Sequence, residues 1–127
     1  MFAKFSPDGT RVAFVRKNNL YVQDLADLKI TQITRDGSNN VINGTSDWVN
    51  EEELGLRDCF RWSPDGASLL FWQFDTSEVK RFTLINQTED NYPRLTTFPY
   101  PKAGEKNSST QLGVVGAAGG EGTWLKA

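Results

Sequence analysis

The pentapeptide Phe5-Ser6-Pro7-Asp8-Gly9 returns 57 positions later as Trp62-Ser63-Pro64-Asp65-Gly66, and an apolar run follows each copy. No other feature constrains the fold as tightly. In each copy proline presets the first turn dihedral, and glycine takes a backbone position hostile to a β-carbon. The aromatic before serine closes a strand and is expected to pack inward. A turn of this kind between strand-like runs marks one blade of a β-propeller per copy. The spacing exceeds an ordinary blade of roughly 40 to 50 residues and leaves room for an insertion.

The runs themselves read as strands. RVAFVR (11–16) and LYVQDL (20–25) flank Lys17-Asn18-Asn19 as a hairpin. Val12 and Phe14 share one face, Ala13 and Val15 the other, as expected of a strand sandwiched between neighbouring blades. Residues 30–34 form a short outer strand, and 35–46, with Asp36-Gly37 and Asn43-Gly44, a loop. In the second unit 58–62 leads into the turn, 68–74 is a strongly apolar strand, 81–85 follows it, and 95–98 is the outer strand. Residues 112–115 then read as the first strand of a third blade, which GAAGGEG (116–122) dissolves. The expected fold is all-β: a partial β-propeller of about two four-stranded blades plus the start of a third. The expected divisions are a blade at 1–46, an inserted short helix at 47–57, a blade at 58–100, and a further blade's start with a flexible tail at 101–127. Exposed strand edges in such an arrangement invite self-association.

Composition narrows the function. Fourteen basic and sixteen acidic side chains are interspersed, for a formal charge of -2. No basic stripe favours nucleic acid or an anionic membrane. The chain has no histidine, so neither Ser-His-Asp nor Cys-His catalysis can be assembled within it. There is no Gly-x-Ser-x-Gly elbow, and carboxylate-pair glycosidase chemistry has no pattern behind it. Cys59 is alone and reads as a small buried hydrophobe. No apolar run reaches the roughly 18 residues of a membrane span, and MFAKFSPDGT has neither the apolar stretch nor the cleavage site of a signal peptide. That start reads as the middle of a fold, so the natural protein is expected to extend upstream. Asn43, Asn86 and Asn107 each begin a glycosylation triplet, which matters only in a secreted eukaryotic protein.

Between the two units lies Asp47-Trp48-Val49-Asn50-Glu51-Glu52-Glu53-Leu54-Gly55-Leu56-Arg57. Asp47 suits an N-cap, the glutamates suit the first turns, and Gly55 permits an exit, so a short helix is expected. One reading of the acids is an exposed, solvated helix start. The other is a receptor for a primary ammonium, whose three donors and single charge can be shared by two converging carboxylates. Such a pair rejects an acylated amine, which has lost both charge and donors. Neighbouring helical side chains point about 100° apart, so the ligand must sit over the rim of a short turn. A metal is disfavoured, since there is neither a calcium loop nor a partner thiol, and no cofactor is expected.

NGTSDWVNEEELG (43–55), RWSPDGASLLFWQFDTSEV (61–79) and YPRLTTFPYPKAGEKNSSTQLGVV (92–115), in that order, resemble the propeller domain of the dipeptidyl peptidase IV family of serine peptidases. The SPDG turns are shared by many propellers; DWVxEEE followed by WSPDG, QFD and PYPKAG is specific. The resemblance implies a propeller set over an α/β-hydrolase domain, with a glutamate pair holding the free N-terminus of a peptide substrate. The scissile bond then lies two residues in, usually after Pro or Ala. Matched to the motif, the pair falls on Glu52 and Glu53, Glu51 precedes it, and Trp48 resembles a framework residue under the helix. Asn50 stands where an aromatic is common in some members. The Ser, Asp and His of the hydrolase domain and the propeller arginine that helps hold substrate have no counterpart in these residues. The chain is thus expected to be a specificity segment of an exopeptidase whose parent is periplasmic, secreted or membrane-associated. Two other readings stay open: a non-catalytic propeller that binds peptides or proteins, and a structural oligomer of partial propellers.

Overall fold

The computed structural model describes residues 1–88 and 91–125. In chain order it contains β1 (Lys4–Phe5), β2 (Arg11–Arg16), β3 (Asn19–Asp24), β4 (Ile30–Gln32), β5 (Val41–Asn43), α1 (Trp48–Leu54), β6 (Phe60–Trp62), β7 (Ser68–Asp75), β8 (Arg81–Asn86), β9 (Arg94–Pro99), β10 (Ser109–Gly116) and β11 (Thr123–Leu125). The first sheet is a four-stranded antiparallel meander, β1-β2-β3-β4. A second sheet runs β11-β10-β7-β5, with β6 also on β7, and β8 and β9 pair only with each other. The chain is therefore all-β apart from one helix, and it is an open part of a β-propeller.

Both SPDG turns fold alike. The Ser6 hydroxyl donates to Asp8 at 2.6 Å and that of Ser63 to Asp65 at 2.5 Å. Gly9 and Gly66 donate their amides to the Ser6 and Ser63 carbonyls, both at 2.9 Å, with φ of 71° and 68°. Each aspartate also accepts an amide two residues on, from Thr10 and Ala67. The two turns are tied across the sheets, because Arg11 donates to the Gly66 carbonyl at 2.7 Å and the Trp62 indole to that of Lys4 at 3.0 Å.

The core lies between the sheets. Ala13, Val15, Leu20, Val22 and Ile33 from the first meet Phe60, Leu69, Phe71 and Val115 from the second. Each such large apolar side chain contributes about 1.5–3 kcal/mol when removed from water. The strand period of two decides which face does this. Phe60 and Trp62 stand opposite Phe71 and Leu69, so all four face the first sheet. By the same rule Phe5 stands opposite Val12 and shares the face of Phe14, which points away from the second sheet. Phe5 is accordingly 69% exposed, and only Trp62 of the two turn aromatics packs inward as the repeat suggested. Phe14 stacks on Tyr21 at 5.6 Å on that half-buried face.

Two strand assignments move. The long antiparallel partner of β7 is β10, in register from Ser109 opposite Asp75 to Gly116 opposite Ser68. β11 then adds outside it, so 109–116 and 123–125 serve the second sheet. Residues 81–85 and 95–98, expected as further strands of that blade, lie in β8 and β9, which form a separate hairpin instead. The cause is the connection after β7. In the first sheet β2 and β3 are joined by Lys17 and Asn18, both left-handed at φ 49° and 59°, the pattern of a tight hairpin turn. In the second the same connection spans 76–108 and carries β8 and β9. Within the expected loop 35–46, Val41–Asn43 forms β5 against the Asp75 end of β7.

Candidate functional site

The acidic helix interrupts a strand. β5 lies opposite 73–75 and β6 opposite 69–71, so together they line one edge of β7, broken near Trp72. At the break Gly44 donates to the Trp72 carbonyl at 3.0 Å, Cys59 to that of Gly44 at 2.9 Å, and Trp72 to that of Cys59 at 2.9 Å. The isolated bridge between Thr45 and Asp58 continues the closure outward. Residues 46–57 thus stand off a hydrogen-bonded base. Gly44 is buried at φ 76°, pressed against Leu20 and Val15 of the first sheet. Below the base the Lys4 ammonium pairs with Asp58 at 2.6 Å and donates to the Phe60 carbonyl at 3.2 Å.

Asp47 is the N-cap, as its sequence position suggests. It has extended backbone, and its carboxylate accepts from the Asn50 amide at 3.0 Å and the Asn50 side chain at 2.7 Å. Its other oxygen accepts from the Ser108 hydroxyl. Asp47 is only 7% exposed, so these bonds offset the burial of a charge. At the far end Gly55 is left-handed at φ 65°, and the amides of Gly55 and Leu56 donate to the Glu51 and Asn50 carbonyls, each at 3.0 Å. The Ser46 hydroxyl donates to the Leu56 carbonyl and closes the neck.

The three glutamates differ. Glu51 is half-buried and pairs with Arg57 at 3.2 Å. Glu52 and Glu53 are exposed, and neither has a hydrogen bond or ion pair within the described residues. One acid is therefore neutralised at home while two adjacent ones are left to solvent or a ligand. Glu53 stands on the rim of an open hollow of about 870 Å³ between α1 and the β8–β9 hairpin, walled by Trp48, Phe82, Phe98 and Tyr100. Trp48 packs on Tyr100 with ring centres 4.2 Å apart, and Tyr100 in turn meets Phe82 at 5.6 Å and Phe98 at 6.1 Å.

Two contributors to this geometry, Tyr100 and Ser108, lie far along the chain from the helix and were not singled out by the sequence. The PYPKAG stretch that carries Tyr100 was the one signal, and it says nothing of contact with Trp48. Cys59 is buried, and burial followed by the nearby Asp58 charge pushes its thiol up to about 11. Asn43 is fully buried, its amide donating to the Asn18 carbonyl and to Asp36, so its glycosylation triplet is sealed in the fold.

The comparisons with known proteins agree with one another. The family model described as the dipeptidyl peptidase IV (DPP IV) N-terminal region matches residues 1–127. The chain is 38% identical over 128 residues to the "Probable dipeptidyl peptidase 4" of Aspergillus fumigatus, covering 96% of this chain and 16% of that protein. To the prolyl endopeptidase FAP of Bos taurus it is 36% identical over 115 residues, covering 89% of this chain and 15% of that one. The crystal structure of Porphyromonas gingivalis dipeptidyl peptidase 4 superposes with a TM-score of 0.94 at 40% identity, over all of this chain and 18% of that one. The chain spans less than a fifth of the length of these relatives. With the family model matched end to end, the chain belongs to the dipeptidyl peptidase IV N-terminal region family.

Proposed function

We propose that Glu52 and Glu53 receive the free N-terminal ammonium of a peptide, and that the chain acts as the specificity segment of a dipeptidyl-peptidase-type serine exopeptidase. The observation that carries this reading is the unequal fate of three adjacent acids. Arg57 satisfies Glu51, whereas Glu52 and Glu53 are held on a helix capped at both ends with no cation of their own among the described residues. A primary ammonium supplies the missing charge and up to three donors, and charge-assisted hydrogen bonds are about twice as strong as neutral ones. Peptide-bond cleavage belongs to a serine nucleophile with its base elsewhere in the parent, since this chain has no histidine. The carboxylates work as a ruler through binding energy, fixing how far the reacting bond lies from the amine.

The repeat also indicates the partners. Trp62, Leu69 and Phe71 pack on the preceding sheet, and their counterparts one repeat earlier, Phe5, Val12 and Phe14, share the corresponding face, with Phe5 69% exposed and the other two half-buried. A preceding blade of the parent fits that face, and the hydrolase domain faces the helix. The apolar residues of β8–β9, among them Leu84 at 51% and Ile85 at 60% exposure, suit self-association.

The test is a peptide pair. Ala-Pro-Ala with a free amine and its N-acetylated form are titrated against the wild-type chain and the Glu52→Gln/Glu53→Gln variant. Preference for the free amine, lost in the double variant, supports the clamp. Equal binding of both peptides by the wild type favours a non-catalytic peptide-binding propeller instead.

A further inference from the structure

The helix that carries Glu52 and Glu53 is too short to hold its own direction. Helix nucleation is unfavourable, and a seven-residue segment is far below the roughly 12–15 residues at which isolated helices become marginal. None of its residues is fully buried, so no apolar face presses it onto the sheets. Its orientation must come from discrete contacts.

Two of these come from one segment, 100–108. Tyr100 packs on Trp48 in the first turn of α1, and Ser108 donates to the buried Asp47 carboxylate at the N-cap. The segment is anchored at both ends on other elements. The Tyr100 amide donates to the Lys80 carbonyl at 2.9 Å, and Lys80 pairs with Glu105 at 2.8 Å, which ties it to the base of β8. At its other end Ser109 begins β10, opposite Asp75 of β7. The segment therefore runs as a strap from the hairpin, over the start of α1, into the second sheet. Asp47 relays the hold into the helix, since one carboxylate oxygen takes Ser108 while the other takes both donors of Asn50, two residues before Glu52.

We propose that Ser108 and Tyr100 are positioning residues for the amine clamp: they fix α1 so that Glu52 and Glu53 converge on one ammonium. This rests on the clamp reading above. Neither residue touches the ligand, and each acts through its neighbour on the helix, Asp47 or Trp48. Without them the helix samples other directions, and a site competent for only a fraction of the time loses affinity by that fraction.

The experiment uses the full 127-residue chain. Amide hydrogen exchange is read at Asn50 and Glu51 in α1, at Gly55 and Leu56, whose amides close its C-terminal end, and at Val15 and Leu69 in the sheets. Ser108→Ala is expected to speed exchange at the four amides of the helix and its C-terminal cap about tenfold, as loss of one charge-assisted hydrogen bond predicts, and to leave Val15 and Leu69 unchanged. Affinity for free-amine Ala-Pro-Ala should fall about tenfold, with none lost for the acetylated peptide. Ser108→Thr keeps the hydroxyl and should restore both readings. Tyr100→Phe keeps the ring and should behave as wild type, whereas Tyr100→Ala should behave as Ser108→Ala. Unchanged helix exchange in Ser108→Ala overturns the proposal, as does faster exchange with unaltered free-amine affinity. A uniform rise at helix and sheet amides also overturns it, because that marks general stability. Equal binding of the two peptides by the wild type sinks the clamp itself, and the exchange arm then decides alone whether Ser108 holds the helix.

Discussion

Replacing Gly44 with alanine separates the two demands that the break in the inner strand places on one residue. Its φ of 76° lies in the left-handed region, where a β-carbon costs about 1–2 kcal/mol. The added carbon would also stand 2.8 Å from Leu20 Cδ2 and 3.0 Å from Val15 Cγ2. Leu20 and Val15 are at most 1% exposed, so neither can swing aside into solvent. Overpacking of this kind costs about 1–3 kcal/mol. The two effects sum to about 2–5 kcal/mol, a large part of the stability of a small domain. Gly55→Ala is the matched control, because Gly55 has φ 65° but nothing within 4 Å of the added carbon, and it should cost about 1–2 kcal/mol. Urea denaturation of both variants, followed by tryptophan fluorescence, gives the difference directly. Gly44→Ala should exceed Gly55→Ala by more than about 1 kcal/mol. Equal losses would refute the reasoning, since they would mean that the sheets yield at Gly44 and that only backbone strain is felt.

Three further outcomes are expected. Glu51→Gln should leave free-amine binding unchanged and cost at most about 1 kcal/mol, as an exposed pair with Arg57 would, while either Glu52→Gln or Glu53→Gln weakens binding about tenfold in calorimetry. Cys59, with its thiol at about 11 and buried, should resist a disulfide reagent at pH 8 in the folded chain and react fully in urea. Stability should fall in acid. The Ser6 hydroxyl and then the Thr10 amide hold Asp8 at about 2, the Lys4 hydrogen bond lowers Asp58, and the Ser63 and Ser77 hydroxyls lower Asp65 and Asp75. Carboxyls depressed in the folded state contribute above their unfolded value near 3.8 and lose that contribution as pH falls toward about 2. The urea midpoint should therefore drop over that window, with a shallower slope in Asp58→Asn.

What the sequence disclosed and what it hid divide along a physical line. Local chemistry was legible. The paired SPDG turns, the hairpin after residue 16, the Asp47 cap and the Gly55 exit all depend on residues within a few positions of one another, and all appear, though the hairpin turn closes on Lys17 and Asn18 and Asn19 already belongs to β3. Strand existence was legible too, because 11–16 and 68–74 are short, near-continuous apolar runs bounded by turn residues. Partner choice was not. Residues 81–86 have the composition of a strand, and proximity in sequence favours pairing them with β7. β10 wins because Gly113 lets the Phe71 and Trp124 rings close over it, with its own β-carbon position only 2.8 Å from Phe71, and because Val115 enters the core. None of that is visible in a run such as QLGVV.

The same distinction governs the site. The acids and their helix could be read from eleven consecutive residues, but which acids are free depends on Arg57 folding back onto Glu51. The direction of the helix depends on Tyr100 and Ser108, more than fifty positions from Trp48 and Asp47 in the chain. The helix leaves the inner strand opposite Trp72 and the hairpin follows Asp75, so both insertions in the second sheet arise within a few residues of β7, and that closeness lets them meet. The first sheet, whose matching connection is two residues long, offers no such neighbour. The wide spacing between the turns thus accommodates the element bearing the carboxylates, and the long connection after β7 supplies the second element that packs against it.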